Sequence, residues 1–391
     1  MTNLRPTLKK LRILAGEGDF HCYRLLKLGR RGFLFSKYLL TTLSYFKGTG
    51  GCATTRTIAF VKGGNQLRYH RHVAEQLESD FGEVQLFTSS RLSVCPASLM
   101  LPRLSVLDVL LQFYFLLLTL LTGRRRYLNL YFLAFEAAIV KTVGTGFQAV
   151  ETLICYNDQP YDVAAILHAL HDHDTCRTIV IQHGLVLSEK FYFPSIAREF
   201  WAWGELSRTH YCARDQFSRI LIKGRYNEDV IIKRDNFIVP GAGKPLRILV
   251  APSYFHDEVK QTLESLGNML SGEFGVKASV AIKFHPSTKF AGLLKLWCVR
   301  CAPWMSEEIE PMEELADKYD VLVTKNSTSA VDFLLRGKPV FFLEPRSDEE
   351  FPSISYGFKL EQLSPLLTNF STDLCNKNAS REKFLRLALN V

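Results

Sequence analysis

The feature that most constrains this chain is an alternation, run through twice, of short uninterrupted apolar segments with longer segments of helical spacing. A strand buried on both faces needs a continuous apolar run, and parallel strands need a crossover between them, usually a helix. Thr57-Ile-Ala-Phe-Val61 stops at Lys62-Gly63-Gly64-Asn65, and helical spacing follows over Tyr69–Leu77. Glu83–Phe87 reads as the next strand. Thr152–Tyr156, the helix Tyr161–Leu170 and the strand Thr178–Gln182 make one β–α–β unit, and Arg198–Trp203 adds a further strand. After Phe237–Val239, Pro240-Gly-Ala-Gly-Lys-Pro245 breaks the pattern. Its Gly241-Ala-Gly243-Lys244 lacks the spacing and the final hydroxyl of a P-loop. The alternation then restarts: strand Arg247–Ala251, helix Glu258–Leu270, strand Ser279–Phe284, helix Pro311–Lys318, strand Val321–Val323, helix Ser329–Leu335 and strand Val340–Leu343. The expected fold class is therefore α/β, with two Rossmann-like doubly wound domains over residues 57–240 and 241–391, preceded by a basic N-terminal segment over 1–56. A length of 391 residues suits two such cores.

Charge is concentrated. Ten basic residues lie within residues 1–47 against Glu17 and Asp19, which accounts for most of the net charge of +9. The rest of the chain is close to neutral, so the pattern implies no nucleic-acid partner. Nine cysteines, odd in number and scattered, fit free buried thiols in a reducing, cytoplasmic setting. Cys298-Val-Arg-Cys301 has the spacing of half a zinc site but lacks a second pair, and no metal is expected. The N-terminus carries no apolar core followed by a cleavage site, so no signal peptide is expected. Val109–Thr122 is the most apolar stretch, bounded by Asp108 and by Arg124-Arg125-Arg126, and it falls short of the ~20 residues of a membrane span. With the basic, leucine-rich Leu25–Phe46 it fits two readings. One is an interfacial helix and a basic segment resting on an anionic membrane surface, and the other is a core helix with a solvated basic arm.

In doubly wound sheets the ligand lies beyond the carboxyl ends of the strands. Three places place polar residues there. Strand Thr178–Gln182 runs into His183-Gly184, where the glycine permits close approach to the backbone. Strand Ser279–Phe284 runs into His285-Pro286, with Lys283 alternating to the same face as His285. Thr324-Lys325-Asn326-Ser327-Thr328-Ser329 separates a strand from a helix, and its hydroxyls and free N–H groups suit a phosphate, although one hydroxyl would suffice for an ordinary N-cap.

From Ile282-Lys-Phe-His-Pro286 through Val321 to Val340, the chain resembles the His-Pro and serine motifs of bacterial surface-polysaccharide glycosyltransferases with the GT-B fold. Gln182-His183-Gly184 resembles the histidine-glycine loop of their N-terminal domain. Enzymes sharing these signatures include capsule Kdo transferases, sialyl- and polysialyltransferases and CDP-glycerol glycerophosphotransferases. The resemblance spans roughly residues 150–345 and implies two domains facing a cleft. It implies that His285 and Pro286 hold the nucleotide's phosphate or base, that Ser327, Thr328 and Ser329 hold the phosphate, and that His183 faces the cleft as an electrostatic or acid/base group; Lys283 and Lys325, by their places beside these residues, are candidates for the same phosphate. Asp158 and Glu205 are carboxylate candidates for the base, against the reading that each is a solvated or capping loop residue. Glu344 is a candidate for ribose hydroxyls, and Gly63, Gly64 and Asn65 for the acceptor side, where a tight turn explains the glycines as well. The implied activity is metal-independent transfer from a nucleotide sugar, CMP-Kdo or CMP-sialic acid, to a glycan or glycolipid acceptor of capsule or lipopolysaccharide type. There is no cofactor besides the donor. The alternatives are a CDP-glycerol-type phosphotransferase and a non-catalytic peripheral scaffold of an assembly complex.

Overall fold

A computed structural model of the chain describes residues 28–46, 53–61, 64–88, 103–156, 161–171, 176–182, 184, 197–212, 219–224, 245–252, 263–264, 266, 278–284, 305–325, 329–342, 358–359 and 370–389. These residues form two compact units. Unit 1 holds the described residues up to Gln182, with 197–202, 211–212 and 219–224; unit 2 holds Gly184, 203–210 and everything from residue 245 on.

Unit 1 is built on six strands: β1 (Thr57–Val61), β2 (Val84–Thr88), β3 (Thr152–Cys155), β4 (Arg177–Ile181), β5 (Glu199–Ala202) and β6 (Arg219–Ile222). They are all parallel, in the order β2-β1-β3-β4-β5-β6. Every residue of β1, β3 and β5 is buried, which is why these segments carry no polar alternation. Thr57 pairs with Val84 on one side and Thr152 on the other, so β1 runs through the sheet interior. Ala59, Val61, Ile154, Ile179, Ile181 and Trp201 form one core with Leu67, Val73 and Leu77 of the helix α2 (Gly64–Phe81). Glu199, buried at the start of β5, accepts from Arg177 Nε at 2.8 Å and Nη2 at 2.7 Å and from Trp201 Nε1 at 3.2 Å. Burial works against its charge, but these donors prevail and hold its carboxyl below the usual range.

The N-terminal helix α1 (Leu28–Phe46) belongs to this unit. It packs on α3 (Val106–Thr122), which packs on α4 (Arg125–Gly146), which in turn packs on α5 (Tyr161–His171). Thr42 donates to Gln112 Oε1 at 2.8 Å and lies 3.2 Å from the Tyr131 hydroxyl, a buried polar knot joining α1, α3 and α4. Leu34, Tyr38 and Tyr45 are buried on the same helix, and Tyr45 donates to Asp162 of α5 at 3.3 Å. The second half of the basic N-terminal segment is thus packed into unit 1.

Unit 2 is built on β7 (Leu246–Ala251), β8 (Ala278–Ile282), β9 (Met305–Glu307), β10 (Val321–Thr324), β11 (Val340–Phe342) and β12 (Phe358–Lys359), also all parallel. Their order is β12-β11-β10-β7-β8-β9. Read from the other edge this is the 3-2-1-4-5-6 winding of dinucleotide-binding sheets, and the order reverses between β7 and β10. Helices α6 (Glu205–Cys212), α7 (Met312–Lys318), α8 (Ser329–Leu335) and α9 (Phe370–Leu389) complete the described elements. The core joins Ile248–Val250, Leu322, Val323, Phe333, Leu334 and Phe341 with Trp203 and with Leu385 of α9. Gly337 ends α8 at φ +66°, with its N–H bonded to Leu334 O and that of Lys338 to Phe333 O, a Schellman motif that Pro339 then prevents from continuing as helix.

Candidate functional site

The switch point of unit 2 is closed by one side chain. Thr324 is the last residue of β10, pairs in register with Ala251 at the end of β7, and donates its Oγ1 proton to the Ala251 carbonyl at 2.7 Å. It is fully buried. In doubly wound sheets the ligand lies beyond the carboxyl ends of the strands at such a switch point. Lys325 follows at half burial, and Ser329 opens α8. Ala330 to Leu335 are all buried, so the helix is fixed by its body while Ser329 sits at its half-buried end. With only seven residues, α8 contributes a weak dipole.

Lys283 stands one residue beyond β8. Its N–H extends the ladder to Val250 O at 2.9 Å, and its ammonium donates to the Glu310 carbonyl. Lys318 pairs with the Glu310 carboxylate, which holds that carboxyl below its ordinary range. Tyr319 donates to Glu308 at 2.6 Å, and burial followed by this carboxylate contact raises its phenol. The ammonium at the tip of β8 is thereby tied to the segment between β9 and α7.

Glu205 lies in the first turn of α6 and accepts from Arg208 Nε at 2.8 Å, an i,i+3 pair with both side chains half exposed. A carboxylate in the first helical turn is favoured by the helix dipole alone. Gly64 and Asn65 are the first two residues of α2, placing the acceptor-side candidates at a helix start rather than in an open loop. Gln182 is buried just past β4, its N–H bonded to Trp201 O at 3.1 Å, and it leads to His183. His183, Asp158, His285, Pro286, Ser327, Thr328, Glu344 and Gly63 lie outside the described residues, as does Cys298–Cys301. Among the described residues no group of three or more His, Cys, Asp or Glu side chains could hold a metal ion.

Sequence reasoning missed a pair at the switch point of unit 1, where the order reverses between β1 and β3. His70 on α2 lies with Nδ1 2.7 Å from the hydroxyl of Tyr156, the residue that follows β3, and both are buried. Tyr69 meets the same ring edge-on at 5.6 Å. Burial lowers the His70 imidazole to about 4, so it is neutral at pH 7. The two residues are 86 positions apart, and no local signal pairs them.

No protein-family model and no curated protein matches the chain. Among solved structures it is similar to the UDP-GlcNAc 2-epimerase of Methanocaldococcus jannaschii in complex with UDP-GlcNAc and UDP, with a TM-score of 0.50 and 10% identity over 84% of this chain and 98% of that one. It also aligns with the wall teichoic acid polymerase TagF, at a TM-score of 0.48 and 14% identity over 92% of each chain. A third alignment is with Acinetobacter baumannii MurG, at 0.45 and 10% over 84% of this chain and 95% of that one. At such identities the likeness concerns architecture. The chain has the two-sheet α/β fold of the GT-B class.

Proposed function

We propose that this protein is a cytoplasmic, metal-independent glycosyltransferase that moves a sugar from a nucleotide-activated donor to a growing surface glycan. The observation that carries the reading is the locked switch point of unit 2, where Thr324 and Ala251 close the sheet and the hydroxyl-rich segment with Lys325 and Ser329 begins at once. Support comes from the fold, since the M. jannaschii epimerase of the same architecture was crystallised with UDP-GlcNAc and UDP. The resemblance of Ile282–Pro286 and Val321–Val340 to the His-Pro and serine motifs assigns a cytidine-linked donor, CMP-Kdo or CMP-sialic acid, and a glycan or glycolipid acceptor.

In this reading the acceptor hydroxyl attacks the anomeric carbon as a base removes its proton. The bond from that carbon to the phosphate oxygen breaks, and the nucleotide leaves with the electron pair. Lys325, Ser327, Thr328 and Ser329 meet the phosphate charge, and His285 and Pro286 shape the nucleotide pocket. Lys283 holds positive charge at the strand tip through its anchor on Glu310. Glu344 takes the ribose hydroxyls, and Gly63, Gly64 and Asn65 flank the acceptor. Arg208 competes for the Glu205 carboxylate, so the base falls to His183 or Asp158.

The test is a thermal-shift panel with CMP, CDP, UDP, GDP and ADP on the wild type and on His285→Ala, since a ligand that binds the native state raises its melting temperature. A shift with a cytidine nucleotide that disappears in the variant is expected. A shift with UDP or GDP alone would remove the cytidine assignment, and no shift with any nucleotide would favour a scaffold. A reaction product containing a phosphodiester would identify a phosphotransferase instead.

A further inference from the structure

Helix α3 is built inside out. Its buried face carries Gln112, Leu116 and Thr119, two of the three polar, while its outward face is a continuous apolar stripe. Val106, Leu107, Leu110, Leu111, Tyr114 and Leu121 recur at helical spacing on that face, with Leu107 75% exposed, Leu110 58% and Leu121 66%. A helix on the surface of a water-soluble protein shows the opposite pattern. A stripe of this length is more than a scatter of single exposed leucines.

Gln112 and Thr119, the two buried polar side chains of the helix, point into the fold, away from the stripe. Gln112 accepts from Thr42 of α1, Thr119 donates to its own Phe115 carbonyl at 2.8 Å, and Thr122 donates to Leu118 O at 2.7 Å. Tyr114 leaves an aromatic ring with a polar tip on the face, the kind of side chain favoured at a lipid–water boundary.

Charge decides what covers the stripe. Between Arg103 and Arg126 the only acid is Asp108, and it is occupied in a capping box with Ser105. Arg103 stands exposed before the helix and Arg124 and Arg126 stand exposed after it. The Arg31 guanidinium lies against Gly123, where α3 ends at φ +67°, and reaches the Leu121 carbonyl at 3.5 Å. A second copy of the chain would bring basic rims together with one engaged acid each to answer them, whereas phosphate headgroups supply the missing anions. The helix has 17 residues, about 26 Å at 1.5 Å per residue, which is short of the ~30 Å hydrocarbon core. Among the described residues no helix is long and apolar enough to cross a membrane.

We infer that the outward face of α3 is a docking surface for an anionic lipid bilayer, its leucines entering the acyl boundary while Arg103, Arg124 and Arg126 meet the headgroups. The inference stands on unit 1 alone and is independent of the proposed reaction. Its test is co-sedimentation of the full chain with vesicles of phosphatidylcholine alone and of phosphatidylcholine doped with phosphatidylglycerol. Binding to the doped vesicles, weakened by salt, is expected. Arg124→Gln and Arg126→Gln should each weaken it roughly fivefold. The triple variant Leu107→Gln, Leu110→Gln and Leu121→Gln should lower it by roughly tenfold or more, with unchanged circular dichroism because these side chains face solvent. Failure of the wild type to sediment with the doped vesicles overturns the inference, as does wild-type binding by the triple variant. A lipid-free dimer that the triple variant dissociates would also overturn it and make the face a contact between copies.

Discussion

At the scale of single residues, His70 shows how a group that no motif announces shapes the molecule's behaviour. Its imidazole is buried against Tyr156 and lowered from 6.5 to about 4. Between these values the unfolded chain binds a proton that the native state refuses, so stability is fully present above pH 6.5 and falls as pH drops toward 4. A shift of this size corresponds to about 3 kcal/mol. Urea denaturation at neutral and acid pH should therefore show a loss of that order in the wild type and a much smaller one in His70→Gln, which keeps a hydrogen-bonding side chain but does not titrate. Parallel pH profiles for the two proteins would dismiss the assignment. The same scale explains what the sequence left hidden. The strand tips were legible because parallel strands end where apolar runs end, yet the partner of each tip residue lies far along the chain. Thr324 bonds to Ala251 across 73 positions and His70 to Tyr156 across 86, separations that only the sheet order can close.

At the scale of elements, legibility followed burial. The helix Ser329–Leu335 was expected with both ends as observed, because its apolar body is bounded by hydroxyls before and by Arg336-Gly337-Lys338-Pro339 after. Strands β1, β3 and β10 were read to within a residue because they are buried throughout. Strand β6, at the sheet edge, is only partly buried and its apolar run Ile220-Leu221-Ile222 is three residues long, and β9 is Met-Ser-Glu with no apolar run. Helix α4 was missed because its Tyr-Phe-Leu-Ala-Phe stretch is dense with aromatic side chains and shows no clean polar stripe. The expected helix Glu258–Leu270 falls largely outside the described residues. The left-handed turn at Gly337 gives the element its testable feature: a β-carbon at φ +66° costs about 1–2 kcal/mol. Gly337→Ala should lose stability of that order in chemical denaturation, and Gly337→Asn should lose less. An alanine variant as stable as the wild type would mean that the end of α8 can be rebuilt without the Schellman turn.

At the scale of the whole molecule, the two units wind their six strands differently. Unit 1 reverses between β1 and β3, in an order of the flavodoxin kind, and unit 2 reverses between β7 and β10, in the dinucleotide-binding order. Each reversal creates one crevice at the carboxyl ends of its strands. The two crevices differ in chemistry: that of unit 1 is backed by the neutral His70 and Tyr156, and that of unit 2 by Thr324 with Lys325 and Ser329 beyond it. Under the proposed function a nucleotide's phosphate is expected in unit 2. Amide hydrogen exchange with saturating CMP should slow at the ends of β7 and β10 and at the start of α8, while the ends of β1 and β3 keep their rates. Thr324→Val removes the bond to Ala251 and leaves that carbonyl without its side-chain donor, at a cost of about 1–3 kcal/mol. The variant should show faster exchange at both strand ends and less protection by CMP. Protection confined to the ends of β1 and β3 would move the nucleotide to unit 1 and leave the hydroxyl-rich segment after β10 as a helix cap.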